Sequence, residues 1–291
     1  MRFLIDFIKG MAIGIANVIP GVSGGTMAFI LGIYDKLTDA IGNFLNKPEE
    51  RKKFISFLAV IGIGVFAGII LFAKIFTFLL QTPTSEQYTY FLFVGLILGS
   101  VPFIMKMHDD MKFSMRRGAV FTVAMLLVLS TLLFGTASHD KIPVQITGEL
   151  FGIFNATEIS VSYGFWLLAC GFMAAGSMVL PGFSGSALLI SLGEYNNVLQ
   201  FVDQRMIIPV LIIGAGAIPG IIFFAKIINK FLTKYPSDTY YFILGLITAS
   251  IVQIFNEIAD TVILSGSPLY ISLLTFLIGV VISYFLSKIH K

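Results

Sequence analysis

Two short segments of the sequence combine residue types that suit the binding of an anion. Residues 20–24 are Pro-Gly-Val-Ser-Gly and residues 181–185 are Pro-Gly-Phe-Ser-Gly. A serine in this position caps the helix that follows, and the start of that helix presents free N–H groups and the positive end of a dipole. Neighbouring glycines let the backbone come close to a ligand. The pattern therefore predicts a site for phosphate or carboxylate.

The candidate binding residues are those of the two motifs and the polar residues beside them: Asn17, Pro20, Gly21, Ser23, Gly24, Gly25 and Thr26 in the first, and Pro181, Gly182, Ser184, Gly185 and Ser186 in the second. The alternative interpretation is structural, with each motif forming a tight turn whose glycines serve only helix contacts. The presence of two copies favours the binding interpretation.

The two motifs belong to a longer internal repeat. The segment from Gly10 to Tyr34 recurs from Gly171 to Tyr195, and Phe-Ala-Lys at 72–74 recurs at 224–226. Such self-similarity indicates two versions of one unit. We expect a first repeat at 1–140, a second at 141–291, and a site built from both.

Composition determines the class of protein that these repeats form. Of the 291 residues, 57% are hydrophobic and 12% are charged, about half the charged share of a soluble domain. This composition excludes a cytosolic enzyme, a nucleic-acid binder and a disordered chain, and it predicts an all-α polytopic membrane protein. The single cysteine, Cys170, excludes an internal disulfide. The three histidines have no metal-binding spacing, so we expect no metal or cofactor.

Six apolar runs are long enough to cross a hydrocarbon core of about 30 Å. They lie at 54–80, 88–107, 118–137, 206–232, 239–256 and 268–287, three in each half. The motif segments, 3–42 and 163–201, are different because Pro-Gly breaks a helix. The stretch between Gly21 and Asp35 covers only about 20 Å as a helix, too little to cross. Each motif segment is therefore predicted to be a re-entrant helical hairpin with the motif at its tip.

The distribution of lysine and arginine predicts the orientation of these segments. With residues 1–9 and 35–53 inside, all but three of the 19 Lys and Arg residues fall on the inner side. The exceptions are Lys141 and Arg205 outside and Lys74 near the outer end of a span. Three spans per half then give the halves opposite orientations, as in the inverted repeats of secondary transporters. Both termini are expected inside.

Three cations are further candidates for contact with an anionic headgroup. Lys74 and Lys226 are repeat-equivalent, and a lysine at membrane depth costs about 2.5–3.5 kcal/mol. The alternative for both is that the side chain snorkels to the interface. Arg205 is nearly alone among outward cations and is either a recruiting residue for a lipid head or an ordinary charge beside a helix.

Two acidic residues lie at the ends of the second hairpin arms. Asp35 follows Tyr34, and Glu194 precedes Tyr195. They are the acids nearest the predicted site and are candidates for carrying a coupling proton. An exposed helix end explains them equally well.

Residues 14–26, Gly-Ile-Ala-Asn-Val-Ile-Pro-Gly-Val-Ser-Gly-Gly-Thr, resemble the signature of the bacterial polyprenyl-phosphate transporters, a family of undecaprenyl phosphate translocases. The similarity covers the whole chain, including the second motif at 181–186. The resemblance implies flipping of undecaprenyl phosphate, the lipid carrier of peptidoglycan precursors, from the outer to the cytoplasmic leaflet of the bacterial plasma membrane. It assigns the site to the two motifs. The resemblance assigns no role to Lys74, Lys226 or Arg205, so their contact with the headgroup is predicted from the physical argument alone. Coupling to protons or sodium is left open.

Two other functions remain as alternatives. Undecaprenyl pyrophosphate phosphatases also have a Pro-Gly-x-Ser motif, but an arginine follows it and glutamates lie nearby. Here Gly24 and Gly185 follow the serines, so hydrolysis would lack its main electrostatic stabiliser. A channel or transporter for a small anion is the second alternative, because capped helix ends suit those ligands too.

Overall fold

The structure is a computed structural model that describes residues 2–18, 23–44, 46–79, 82–133, 144–150, 154–259 and 262–288. Twelve α-helices lie within these residues: α1 Arg2–Val18, α2 Gly24–Ile30, α3 Tyr34–Asn43, α4 Arg51–Leu79, α5 Pro83–Ile104, α6 Met115–Leu133, α7 Val161–Ser177, α8 Gly185–Ser191, α9 Tyr195–Asp203, α10 Ile207–Lys234, α11 Pro236–Glu257 and α12 Gly266–Lys288.

Six of these helices, α4, α5, α6, α10, α11 and α12, are long and apolar enough to cross a membrane. They correspond to the six predicted spans, so the prediction of a helical polytopic membrane protein is confirmed. Some boundaries differ from those predicted. Helix α5 begins five residues before the predicted span because Thr82 and Ser85 form a capping box around Pro83, an arrangement that favours the start of a helix.

The principal helix contacts occur in two matched pairs. Helix α1 packs on α4 as α7 packs on α10, and α5 packs on α12 as α11 packs on α6. Exchanging the first six helices for the last six therefore converts each contact into another that is also present. This pattern is expected of two related units. The repeat boundaries at 1–140 and 141–291 and the inverted orientation stay predictions.

Glycines allow the matched pairs to approach closely. A Cβ atom at Gly64 or Gly68 of α4 would overlap the backbone of α1, and one at Gly216 or Gly220 of α10 would overlap the backbone of α7. Lipid tails are as apolar as helix side chains, so close van der Waals packing of small residues is what holds such helices together. The repeated glycines thus position the first arm of each hairpin against a spanning helix.

The second arm of each hairpin differs from the predicted single helix. It consists of two short helices, α2 and α3 in the first hairpin and α8 and α9 in the second. The break occurs at Gly32 and Gly193, whose φ angles are 62° and 74°. At the first break, the Ile33 N–H also bonds the Ala28 carbonyl at 3.0 Å. A glycine at positive φ with this hydrogen bond ends an α-helix.

A two-stranded antiparallel sheet, which the sequence patterns did not predict, precedes α7. Strand β1 covers Val144–Leu150 and β2 covers Phe154–Ile159. The Asn155 N–H donates to the Arg205 carbonyl at 3.0 Å, and the Asn155 amide donates to the Gln204 carbonyl at 2.7 Å. The sheet is therefore attached to the turn between α9 and α10.

Two groups of contacts between elements mark the two ends of the molecule. At one end, Arg116 pairs with Asp238 at 2.7 Å, and the Asn229 amide lies 3.4 Å from the Asp39 carboxylate. These contacts join α3, the start of α6, the end of α10 and the start of α11. At the other end, Gln87 donates to the Ile263 carbonyl at 3.0 Å, joining the start of α5 to the loop before α12. The first group contains the segments that the charge distribution places inside.

We expect the substitution Gly216→Leu to lower the free energy of unfolding by about 1–3 kcal/mol, because the new side chain would overlap the Leu168 backbone. The matched control is Gly214→Leu in the same helix, where a Cβ atom would meet no atom within 4 Å. The control is expected to change the free energy by less than about 0.5 kcal/mol. Thermal unfolding in detergent measures both, and equal stability of the two variants would contradict the close contact of α7 and α10.

Candidate functional site at the hairpin tips

The structure brings the two predicted motifs together. The Ser23 hydroxyl donates to the Leu180 carbonyl at 3.3 Å, and the Gly182 N–H donates to the Thr26 hydroxyl at 2.6 Å. Ser23 and Thr26 come from the first hairpin and the other two residues from the second. The two motifs, which are far apart in the chain, are thus in direct contact, and a binding site built from both of them stays a prediction.

Tyr34 adds a third connection that the sequence analysis did not assign. Its hydroxyl donates to the Val179 carbonyl at 2.9 Å. Carbonyls just beyond the end of a helix have no partner within that helix, so Tyr34 and Ser23 satisfy groups beyond the end of α7. The signal in the sequence was the repeated Leu-Gly-x-Tyr at 31–34 and 192–195. Gly25 lies against the same segment, where a Cβ atom would be about 3 Å from the Met178 carbonyl oxygen.

At the first tip, two backbone N–H groups donate hydrogen bonds to uncharged side-chain oxygen atoms. The Gly24 N–H donates to Asn17 Oδ1 at 3.0 Å, and the Gly25 N–H donates to Ser23 Oγ at 3.2 Å. Ser23 is the N-cap of α2, as predicted, and Ser23 and Thr26 are buried. The donors predicted to bind an anion are therefore present and lie close together.

The second tip has the equivalent cap but is less buried. The Ser184 hydroxyl accepts from the Ala187 N–H at 3.4 Å and lies 2.7 Å from the Ser186 hydroxyl. Both serines are half-buried. Two adjacent hydroxyl groups at the start of α8 provide donors that can turn towards a ligand.

The remaining residues of the second motif shape the turn. Gly182 has a φ angle of 80° and lies against the backbone of α11 at Leu246, so both its conformation and its contact require glycine. Pro181 is buried, and Gly185 lies against Met178. In the first motif, Pro20 and Gly21 lie outside the described residues.

A cavity of about 360 Å³ lies beside the first tip, between α4 and α10. Asn17, Gly24 and Gly25 form one part of its wall, and Tyr34 and Thr38 of α3 lie in another part. The rest of the lining is aliphatic. A cavity of this kind offers an apolar chain a place next to a small set of polar groups.

Two of the three predicted cations have described side chains, and no hydrogen bond joins either of them to the tips among the described residues. Lys226 is half-buried on α10, where its backbone contacts Gly42 of α3. Arg205 is exposed in the turn after α9 and has a φ angle of 52°, a conformation that is uncommon for a residue with a side chain. The side chain of Lys74 lies outside the described residues.

The two predicted acids have different surroundings. Asp35 is at the start of α3 and accepts a hydrogen bond from the Tyr240 hydroxyl at 3.1 Å. Asp35 is exposed, as expected of a charged residue at a helix end. This contact connects the first hairpin to α11.

Glu194 is 2% exposed, so the interpretation of this residue as an exposed helix end was wrong. Its carboxylate accepts from the Tyr163 hydroxyl at 2.7 Å, the Trp166 indole at 2.9 Å and the Asn197 amide at 2.8 Å. A buried carboxylate is stable where such donors surround it. Glu194 therefore holds the two arms of the second hairpin together.

Comparison with known proteins agrees with this geometry. A family model described as VCA0040-like, undecaprenyl phosphate translocase-like, matches residues 13–267, which include both tips. The chain belongs to the polyprenyl-phosphate transporter family. It is 30% identical to the polyprenyl-phosphate transporter of Vibrio cholerae over 87% of this chain and 78% of that protein. It is 28% identical to the polyprenyl-phosphate transporter of Staphylococcus aureus over 98% of this chain and 96% of that protein. No solved structure matches the chain.

The family assignment bears on the enzyme alternative. Both relatives are named as transporters and neither as a phosphatase. The motifs of this chain also have glycine where the phosphatase motif has arginine. Both observations favour a transport function for this member of the family.

We expect Glu194→Ala to destabilise the second hairpin by about 1–3 kcal/mol, because it removes the acceptor for Tyr163 and Trp166 and leaves the buried Asn197 amide without this partner. Trp166 is the single tryptophan, so its fluorescence reports both the local change and the unfolding transition. The control is Glu158→Ala, which removes an exposed carboxylate from β2 and is expected to change stability by less than about 0.5 kcal/mol. An unchanged melting temperature for Glu194→Ala would mean that this carboxylate does not hold the hairpin.

Proposed function

We propose that this protein flips undecaprenyl phosphate from the outer to the cytoplasmic leaflet of the bacterial plasma membrane, so that the carrier is reused in peptidoglycan synthesis. The observation that carries the proposal is the meeting of the two capped hairpin tips at Ser23 and Leu180. The names of the relatives and the description of the family model support the same substrate class.

The chemistry of the tips suits a phosphate. In the first tip, the Gly24 and Gly25 N–H groups are bonded to the neutral oxygens of Asn17 and Ser23. Phosphate oxygens carry charge, and hydrogen bonds to charged acceptors are about twice as strong as those between neutral groups. A phosphate therefore displaces the Asn17 amide oxygen. It accepts hydrogen bonds from these two N–H groups and from the hydroxyls of Ser184 and Ser186.

The apolar chain of the lipid needs a path that avoids water. The cavity beside the first tip has aliphatic walls, and Gly62 at its edge is exposed on the outer surface of α4. With the phosphate at the tips, the chain lies in this cavity and continues into the bilayer. The phosphate is then shielded by the protein while the chain stays in an apolar medium.

Movement between leaflets follows from the inverted arrangement. The first hairpin extends from the cytoplasmic face and the second from the outer face, so parting the tips on either side exposes the same site to one leaflet at a time. Arg205 is the outward cation that attracts the headgroup, and Lys74 and Lys226 stay candidates for contact with it. Protons or sodium are the candidate coupling ions, with Asp35 and Glu194 as the proton carriers.

We expect Ser23→Ala/Ser184→Ala to slow translocation by about tenfold or more, because a hydrogen bond to a charged group contributes about 1.5–3 kcal/mol. The measurement uses liposomes, a fluorescent polyprenyl phosphate and a membrane-impermeant quencher. The matched control is Ser100→Ala/Ser250→Ala. These serines are buried and repeat-equivalent, and their hydroxyls bond only carbonyls of their own helices, at 2.6 and 2.8 Å. The control is expected to transport at the rate of the unmodified protein.

Two further readouts in the same liposomes separate the alternative functions. Phosphate released from the pyrophosphate form of the lipid would identify an enzyme. An anion current would identify a channel. Lipid movement that depends on Ser23 and Ser184, without released phosphate or current, is the result that the proposal requires.

A further inference from the structure

A second apolar groove, separate from the cavity at the first tip, lies farther along α10, between α10 and α6. Its volume is about 540 Å³, and its walls are α6 and α10 with α11 between them. Along α6, Arg116, Val120 and Leu127 face the groove, a spacing that places side chains on one helix face. Helices α6 and α10 both pack on α11, so these two faces border the groove.

The groove runs from one end of the bundle towards the hairpin tips. On α10 it extends from Phe224 to Tyr235, a rise of about 16 Å. Near Phe224 it reaches Leu180, the residue whose carbonyl accepts from Ser23. Leu127, Phe231 and Tyr235 are 42%, 48% and 40% exposed. The groove is therefore elongated, opens towards the lipid, and ends beside the site where the tips meet.

The end of the groove near Tyr235 is positively charged. The Arg116 guanidinium and the Lys234 ammonium both lie over the Tyr235 ring, 5.8 and 5.2 Å from its centre. Arg116 is 69% exposed and pairs with Asp238, which Arg117 also approaches at 3.5 Å. Three cations thus share this end.

Two carboxylates balance only part of that charge. One is Asp238, and the other is Asp110, which forms an ion pair with Arg117 at 2.5 Å. The hydrogen bond from Arg117 lowers the pKa of Asp110 below its usual value, so Asp110 is ionised at neutral pH. These three cations and two carboxylates leave a net positive charge. Arg116 is paired with Asp238 but is mostly exposed, and Lys234 is exposed as well, so an anion can reach both cations at the mouth of the groove.

From this arrangement we infer that the groove binds the isoprenoid chain of polyprenyl phosphate in the cytoplasmic leaflet, with its phosphate between Arg116 and Lys234. The inference rests on the proposed function and adds a second lipid site, from which the substrate leaves. A phosphate monoester carries about −1.5 to −2 charge at pH 7, whereas the phosphodiester of an ordinary phospholipid carries about −1. Two neighbouring cations match the monoester better, which selects the substrate over bulk lipid.

Photolabelling of the full chain in nanodiscs tests the site. The probe is a polyprenyl phosphate with a diazirine in its chain, and labelled peptides are identified by mass spectrometry. We expect labelling on the groove faces of α6 and α10, displaced by unlabelled polyprenyl phosphate and not by phosphatidylglycerol. Equal displacement by phosphatidylglycerol would overturn the inference, because the groove would then hold bulk lipid.

Matched variants test the two ends of the groove. Val120→Trp fills the groove and is expected to abolish labelling there, whereas Val123→Trp, at a 60% exposed position of the same helix, leaves it intact. Arg116→Gln is expected to weaken displacement by polyprenyl phosphate about tenfold and to leave displacement by polyprenol unchanged. The control Lys106→Gln removes an exposed cation elsewhere at this end. Equal effects of Arg116→Gln and Lys106→Gln would contradict a phosphate at the mouth.

Transport measured in liposomes with the same purified protein distinguishes failure of this inference from failure of the proposed function. If the unmodified protein translocates polyprenyl phosphate but shows no labelling in the groove, the second site is wrong and the function stands. If labelling is specific but no lipid crosses the membrane, the groove stands as a binding site and the proposed function is wrong.

Discussion

Backbone that is neither helix nor strand must find hydrogen-bond partners when it lies at the depth of a membrane. Each unpaired N–H or carbonyl group costs several kcal/mol in hydrocarbon. In this protein, side chains of the first hairpin supply partners for backbone groups of the second. Thr26 accepts from Gly182, Ser23 donates to Leu180, and Tyr34 donates to Val179. The two halves are therefore held together at the place where the backbone of the second hairpin would otherwise lack partners.

This constraint links the helix packing to the site. The tips meet only if the first arm of each hairpin is held against a spanning helix, and the glycines of α4 and α10 provide that close contact. The positive φ angle at Gly32 then turns the chain so that Tyr34 reaches the opposite hairpin. Because the hydrogen bonds between the tips are few and partly made by side chains, they are exchangeable. A charged ligand competes with them, and this competition provides a physical basis for opening the site.

Local patterns in the sequence predicted local features well. Hydrophobic runs gave six spanning helices, and the serine caps at Ser23 and Ser184 lie where the motifs indicated. What could not be predicted depends on residues that are distant in the chain. The surroundings of Glu194 depend on α7 and α9 lying side by side. The sequence therefore left a proton carrier and an exposed helix end as alternatives, and the second was wrong. The sheet at 144–159 was missed because its short strands carry no signal as strong as the spans. The hydrogen bond from Tyr34 to Val179 could not be predicted either, because it depends on the position of the second hairpin.

The most direct test is a cryo-electron microscopy structure of the protein in nanodiscs containing polyprenyl phosphate. If the central claim is correct, phosphate density lies within about 3 Å of the Ser23 hydroxyl and the Gly24 and Gly25 N–H groups, with the Asn17 amide turned away and the second tip in contact. A phosphate bound elsewhere, with the tips still hydrogen-bonded to each other as Ser23 is to Leu180, would contradict it.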